Sequence, residues 1–581
     1  MRNWQMIRRH CTKIAERLFN DFETKRKSIL LEVAQEFYPI GVAGLSRGVE
    51  ELADECPYDE ERKYLTTKPM DCLRKGACGF HGNLTSPARR WFRLRLPSFV
   101  AEAPFAETDN ETRKMLDRLT EAVEWSFHRG NIYPQLYKLY EHTLCFGFGC
   151  MLLMRDRERI VRAQTLRVGT YALGVGEDGQ VCRVARRFSW TAEQILNEFG
   201  EASPECIKEC VKEGETSRRW TVYNLVEPNA CGDLRAYDKI AQEVGLDDTM
   251  VYRSIYWLDS ARDDGEQAGI LEISGCTIKP IIAPRLDWEL GDTYGRGRGM
   301  DGLDLARGIQ SFEYDILKIS GTRAQPAVIA SSEFKDVGLK LGRGAVNYVR
   351  FGEGRQAMVM PALASPGDSS ATRADKQEAE QELADLFFNT AFATIDALKN
   401  QTGVKTATEI DALVRENMER LNPVVTNFDH ELLDPLVSVV TKYTIDAGIC
   451  PMNEDDLEKL SNVNIEYVSQ IHLAAKQSQM SGLNTWIQFV GGLAQAKPNA
   501  LDLVDEDGAV KSYAEMLGIG GDCITDEKEV EAVRAQRAQA EQMAQQQAQL
   551  RSLGEAAKIG AMPTDNQHVG GLLMQGLGAG K

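Results

Sequence analysis

Gly297, Gly299 and Gly302 stand at the spacing of a dinucleotide fingerprint, G-x-G-x-x-G, inside the stretch GRGRGMDG that begins at Gly295. In that chemistry a buried parallel strand runs into the first glycine and a helix carries the pyrophosphate on its N-terminal N–H groups. An acidic residue ending a second strand takes the ribose. A helix is expected after Gly302, but the nearest strand candidate, Ile278 to Glu289, stops several residues short and holds Pro280 and Pro284. Such prolines suit an edge or irregular strand. The next apolar run, Ala327 to Ala330, ends in Ser331-Ser332 without the acid. The glycines therefore ask for a reason other than phosphate.

The remaining reactive residues form no constellation. The 13 cysteines are odd in number and scattered without a C-x-x-C, and the 7 histidines show no H-E-x-x-H spacing. The cysteines read as buried or idle thiols of a reducing compartment, and no catalytic residue, metal or cofactor is expected. A net charge of −18 gives a surface that as a whole repels polyanions, which argues against dispersed, tight binding of nucleic acid. The N-terminus lacks the apolar stretch of a signal peptide, and the longest apolar block, Cys145 to Met154, is about half a membrane span.

The elements that position these residues follow from periodicity. Apolar residues at helical spacing (Ile7, Ile14, Leu18, then Ile29, Leu30, Val33, Phe37) predict a helical entry ending at Tyr38-Pro39. Ser86 as N-cap with Pro87 behind it predicts a helix start. Long helices are expected over 110–127 and 133–146. From 147 to 190 the pattern changes to short β-rich pieces separated by Gly-Asp turns, and strand-like pieces return at WTVYNLVEP and MVYRSIYWLD. TAEQILNEFG is a short helix capped by Thr191 and Gly200.

After the glycines, Leu305, Ile309, Phe312, Ile316 and Ile319 mark one face of a long helix over 301–323, about 35 Å at 1.5 Å per residue. A second long helix is expected over 373–398, with Leu383, Leu386 and Phe387 facing a core. Between them lie roughly fifty residues of β and turn character, a tip made locally basic by Lys340, Arg343, Arg350 and Arg355. The loop Lys399-Asn400-Gln401-Thr402-Gly403, with Lys405 beside it, separates the second helix from a capping box at Thr406 to Glu409; on its own it reads first as an ordinary turn between helices with solvated lysines. Helix continues past Asn422-Pro423 through HELLDPLVSVVTKYTIDAG. An Ala/Gln/Arg helix with almost no apolar face precedes a Gly-rich tail after Gly554.

The pieces GNLTSPARRWFRL, the helix leading into FGFG, VGTYALGVGEDGQV, WTAEQILNEFG, YGRGRGMDGL, TATEI and HELLDPL, in this order, resemble the head-to-tail connector or portal proteins of short-tailed, podovirus-type bacteriophages. The resemblance covers nearly the whole chain. It implies an α+β, mainly helical portal fold: a wing over 1–299 with the β module at about 147–190, stem helices at 300–323 and 373–398, and a clip at 324–372. It further implies a tunnel loop at 399–403, wing helices at 404–480, a crown or barrel at 481–554 and a disordered tail at 555–581.

The implied function is a ring, dodecameric in the family, at one capsid vertex, through which double-stranded DNA is packaged and ejected, with the virion as its location and the host cytoplasm during assembly. The implied partners are the terminase large subunit, which hydrolyses ATP, tail adaptor or nozzle proteins, major capsid and scaffolding proteins, and internal core proteins. The tunnel loop residues Lys399 to Gly403 with Lys405 would meet DNA, and Lys340, Arg343, Arg350 and Arg355 would dock partners. Gly295, Gly297, Gly299 and Gly302 would allow close approach at the stem start, where side chains would clash between neighbouring subunits. Residues alone leave two other readings, a nucleotide-dependent enzyme and a helical cytoplasmic scaffold assembling through Asp526 to Leu550.

Overall fold

Ile7, Cys11, Ala15, Phe19 and Phe22 recur at three- and four-residue steps and are all buried, so Trp4–Lys25 folds as an amphipathic helix, α1. Helix α2 (Lys27–Phe37) follows, and Pro39, which cannot continue α2, opens α3 (Pro39–Ser46) as its first residue. The computed structural model describes residues 3–48, 64–95, 110–232, 235, 237–259, 269–324, 328–330, 359–361, 369–393, 420–450, 464–469 and 471–472, with scattered positions between 486 and 547.

Helix α4 (Lys68–Leu84) stops short of Ser86, and no helix starts there. The start signal at Ser86-Pro87 yields only a turn, closed by Arg89 N–H on the Ser86 carbonyl, because the next residues are taken by a sheet. Strand β1 (Phe92–Arg95) pairs antiparallel with Asn464–Tyr467, and Trp91 and Phe92 are buried. Tertiary pairing overrides the local preference. Helices α5 (Asn110–Arg129) and α6 (Ile132–Phe146) agree with their periodicity.

The β module is as expected, with β2 (Met151–Asp156), β3 (Ile160–Thr165), β4 (Tyr171–Val175) and β5 (Val181–Thr191). Helix α7 (Ala192–Phe199) carries a full capping box between Thr191 and Gln194, and α8 (Glu205–Lys212) follows. Then come β6 (Arg219–Pro228), α9 (Lys239–Val244), β7 (Tyr252–Leu258), β8 (Ile270–Cys276) and β9 (Ile281–Ile282). Strands β4-β5-β6-β7-β8 form one antiparallel sheet, and β3-β2-β9 a second in which β9 is the short edge strand that Pro280 and Pro284 allow. Helices α7 and α8 cover one face of the larger sheet through a satellite core of Ile195, Ile207, Val222, Leu258 and Leu271.

Helix α10 (Arg298–Asp301) is one turn, and α11 (Leu303–Ala324) is the long helix that follows. Ile309 and Ile316 are buried, with Leu305, Phe312 and Ile319 partly so. Strands β10 (Val328–Ala330) and β11 (Val359–Pro361) pair antiparallel and lead into α12 (Ser369–Leu386). Lys376 on α12 pairs with Glu313 on α11 at 2.5 Å, and Gly302 lies against Leu383 and Leu386, so the two helices run antiparallel side by side.

The second helix was expected unbroken to 398, but it stops at Leu386. Phe388 takes a left-handed backbone, φ 62°, and helix resumes at 389. Packing imposes the break: Phe387, Phe388 and Phe392 settle on α2 and α4 around Phe37 and Phe80, and Asn389 donates to the Cys72 carbonyl.

Residues 420–446 are helical with one π turn at Asp429–Leu433, followed by α13 (Asp434–Asp446). Within 404–480, the stretch assigned to wing helices, Asn464–Tyr467 is strand β12, the partner of β1. Alternation there (Ile465 and Tyr467 partly buried against the core) serves a sheet period instead of a helical one. The chain divides into two units, 1–489 and 490–581, and within the second, residues 532–540 and 542–544 are helical and exposed.

Candidate functional site

The glycine cluster is a backbone-on-backbone junction. Helix α6 ends at Phe146, and Gly147 caps it in the left-handed region at φ 84° while its N–H bonds the Thr143 carbonyl at 2.9 Å. A Cβ at Gly147 would stand 2.5 Å from the Arg296 carbonyl carbon and 2.6 Å from the Gly295 oxygen. A Cβ at Gly297 would meet the Cys145 oxygen and Phe146 carbon at 2.6 Å, and one at Gly299 the Cys145 oxygen at 2.5 Å and Val33 at 2.7 Å. Gly295 abuts the Gly147 oxygen, and Gly302 packs under Leu383 and Leu386, both 2.9 Å from its missing Cβ.

The close approach expected of these glycines is made, within the described residues, to this chain itself. The space is filled by this chain's own α6 terminus, α2 and α12. Sequence reading quoted FGFG as a motif but missed Gly147 as the other half of the junction.

The junction's charges are spent internally. Arg296 pairs with Asp301 at 2.5 Å, and Arg298 reaches Asp287 at 3.2 Å and Asp301 at 3.4 Å. Gly295, Gly297 and Gly299 are buried. Both arginines that a phosphate would meet here are thus already paired with carboxylates of this chain. The arrangement can do one thing well: it fixes the base of α11 rigidly to the end of α6.

A second lock holds the same base from the other side. The Arg285 side chain is fully buried, and its Nη2 donates to Glu431 Oε1 at 2.5 Å and to the Gly179 carbonyl at 2.9 Å. Its Nη1 donates to the Asp292 carbonyl at 3.0 Å, its own N–H to Glu431 Oε2 at 2.7 Å, and its guanidinium lies 3.7 Å from the centre of the Trp288 ring. The π turn projects Glu431, the glutamate of HELLDPL, into this pocket. Arg285 follows β9, and the adjoining Leu286 N–H bonds the Gly147 carbonyl at 2.9 Å, so the lock and the glycine junction share a backbone segment. Sequence reading missed both residues of the pair.

Beside the π turn, Ser469, His472 and Asp429 lie in series, at 2.6 Å and 3.0 Å. These are residue types of a nucleophilic relay, but Ser469 is buried and the series ties the end of β12 to the π turn. In the larger sheet, Glu227 is buried and contacts Arg253 and His10. Burial alone would raise its carboxyl, but the His10 bond and the Arg253 charge prevail and hold it below the usual glutamate range. Asp238 is likewise held low, chiefly by Arg253 against the opposing effect of burial. His142 on α6 sits under Tyr38, and burial pushes its imidazole down to about 3.

Among the described residues no group of His, Cys, Asp and Glu could hold a metal ion, and no helix is long and apolar enough to cross a membrane. Lys399, Asn400, Gln401, Thr402, Gly403 and Lys405 lie outside the described residues, as do Lys340, Arg343, Arg350 and Arg355.

The sequence pattern of the bacteriophage head to tail connecting proteins matches residues 18–524. The chain is similar to the portal protein of Salmonella phage epsilon15, 26% identical over 521 residues that span 89% of each protein. It is also similar to the probable portal protein of Bordetella phage BPP-1, 27% identical over 501 residues, 85% of this chain and 86% of that protein. Among solved structures, a chain from the virion of a native gene transfer agent particle aligns with 78% of this chain and 89% of its own length. That alignment has 11% identity and a TM-score of 0.31, too low to bear on the architecture.

Proposed function

The chain belongs to the family of bacteriophage head to tail connecting proteins, and from that premise we propose that it is a portal subunit of a short-tailed phage. Copies of it form a ring, dodecameric as in the family, at one capsid vertex, and double-stranded DNA enters and leaves through the central channel. The observation that carries this reading is the match to the family over 18–524, within which the junction roots an antiparallel helix pair in a rigid body. In this reading α11 and α12 are the stem, β10 and β11 begin and end a clip, and 399–403 is the tunnel loop.

The role is structural. Duplex DNA carries one negative charge per about 1.7 Å of axis, so an acidic subunit lets it slide where a basic channel would grip it. The partners of this reading are the terminase large subunit, tail adaptor or nozzle proteins, major capsid and scaffolding proteins and internal core proteins, with Lys340, Arg343, Arg350 and Arg355 offered to those that meet the clip. Negative-stain microscopy of the purified protein tests the reading: rings with a central hole are expected, and a monomer or a two-fold dimer at all salts and concentrations would overturn it.

A further inference from the structure

Helices α11 and α12 pack on one another through one face each, and the faces turned away differ in character. On α12, Asp375, Glu378, Glu382 and Asp385 recur at steps of three and four, which sets four carboxylates in one row, all exposed. Asp385 accepts a bond from Thr390, while Asp375, Glu378 and Glu382 have no cationic partner among the described residues. Like charges at this spacing destabilise a lone helix.

On α11, the row Arg307, Ser311, Tyr314 and Lys318 recurs at the same steps and is exposed, with Leu317 beside it and Asp304 and Asp315 at its margins. Tyr314 is 55% and Leu317 51% exposed, and the Lys318 ammonium stands 5.7 Å from the Tyr314 ring centre. Arg307 meets Glu32 of α2 at 2.8 Å, but that pair is open to solvent on both sides and so is weakly held. The Glu313–Lys376 pair and the packing of Gly302 on Leu383 and Leu386 set the relative levels of the helices. Arg307 therefore stands level with the Glu378 to Glu382 stretch, and Tyr314 with the stretch ending at Asp375.

We propose that the acidic row of α12 docks on the Arg307–Ser311–Tyr314–Lys318 row of a second copy of this chain. One contact at the same level then sets Glu378 and Glu382 against Arg307 and Asp375 against Tyr314, with Lys318 one turn beyond, and covers the half-exposed Tyr314 and Leu317. The two rows are different surfaces, so the contact is heterologous and propagates from subunit to subunit until the rotation closes. A two-fold dimer through either row would set acid on acid or base on base. The proposal rests on the ring reading above and names the surfaces that would build it.

The test uses the full chain and two sets of substitutions. The first set is Asp375→Lys, Glu378→Lys and Glu382→Lys; the second is Arg307→Glu, Ser311→Glu and Lys318→Glu. Each set alone makes the two rows alike, and sedimentation velocity should show assembly at least about tenfold weaker than in the parent, since like charges meet across the interface. Unchanged circular dichroism melts of the unassembled subunits establish that both variants fold.

A chain carrying both sets should assemble alone, because its exchanged rows are again complementary. Parent-like rings from either set, or a doubly substituted chain that folds but stays unassembled, would overturn the pairing and leave the ring reading standing. Rings from the second set that form normally but fail to hold DNA would place that row in the channel and overturn the pairing equally. A parent chain that forms no ring would overturn both.

Discussion

Replacing Gly297 by Ala tests the junction directly. The added Cβ would lie 2.6 Å from the Cys145 oxygen and from the Phe146 carbon, both main-chain atoms with no side-chain freedom to yield. Overpacking in a closed site costs about 1–3 kcal/mol. Gly147→Ala adds a left-handed backbone at φ 84°, about 1–2 kcal/mol for an L-residue, to a comparable overlap with Arg296 and Gly295. Losses of about 2 kcal/mol for Gly297→Ala and about 4 kcal/mol for Gly147→Ala are expected. Gly308 supplies the control: it lies within α11, and a Cβ there meets nothing within 4 Å. Gly308→Ala should stabilise by up to about 1 kcal/mol through helix propensity alone. Urea unfolding of the unassembled subunit, read by tryptophan fluorescence, gives all three values. Equal effects of Gly297→Ala and Gly308→Ala would refute the claim that backbone contact, and not helical position, fixes the glycines.

Glu431→Ala leaves Arg285 buried with its charge unpaired and should cost about 3–5 kcal/mol in the same assay, whereas the joint change Arg285→Met with Glu431→Leu should cost clearly less. His142, with its folded pKa near 3 against about 6.5 unfolded, contributes stability that is complete above pH 6.5 and lost as pH falls toward the folded value. At pH 5 the loss is about 2 kcal/mol, and His142→Phe should flatten that slope, while the loss from the depressed Glu227 and Asp238 begins lower, as pH falls through the ordinary carboxylate range toward their depressed folded values. Lys399→Glu with Lys405→Glu should permit rings and capsids but impair packaging or retention of the genome, more so at low salt, and full-length DNA retained as in the parent would remove the tunnel-loop role.

Where one residue type repeats at a helical step, the sequence suffices: α1, α5, α6 and α11 follow from their apolar stripes, and α7 from Thr191 and Gly200. Ser86-Pro87 shows the limit, since a sound local start signal yields to β1, whose partner is remote in sequence. The break at Phe388 is equally invisible, being imposed by α4. At the candidate site the glycines stand out, yet that Gly297 meets Gly147 follows only from the fold. Arg285 and Glu431 are ordinary charged residues 146 positions apart, and nothing local marks either as buried. The order of motifs, more than any one of them, carried the family and with it the function.

The pairing of Phe92–Arg95 with Asn464–Tyr467 also bears on how a subunit comes to exist. The two strands are separated by about 370 residues, a contact of very long range, so closing it is among the slow steps of folding. At about 5–20 residues per second of synthesis, β1 waits roughly 20–70 s before its partner leaves the ribosome. During that interval an apolar strand edge bearing Phe92 and Leu94 is open to pairing with other nascent chains. The helix hairpin, whose contacts are more local, is complete earlier. A newly made chain therefore completes its helix hairpin, and with it the rows proposed above for assembly, before the β1–β12 pairing can close its own body.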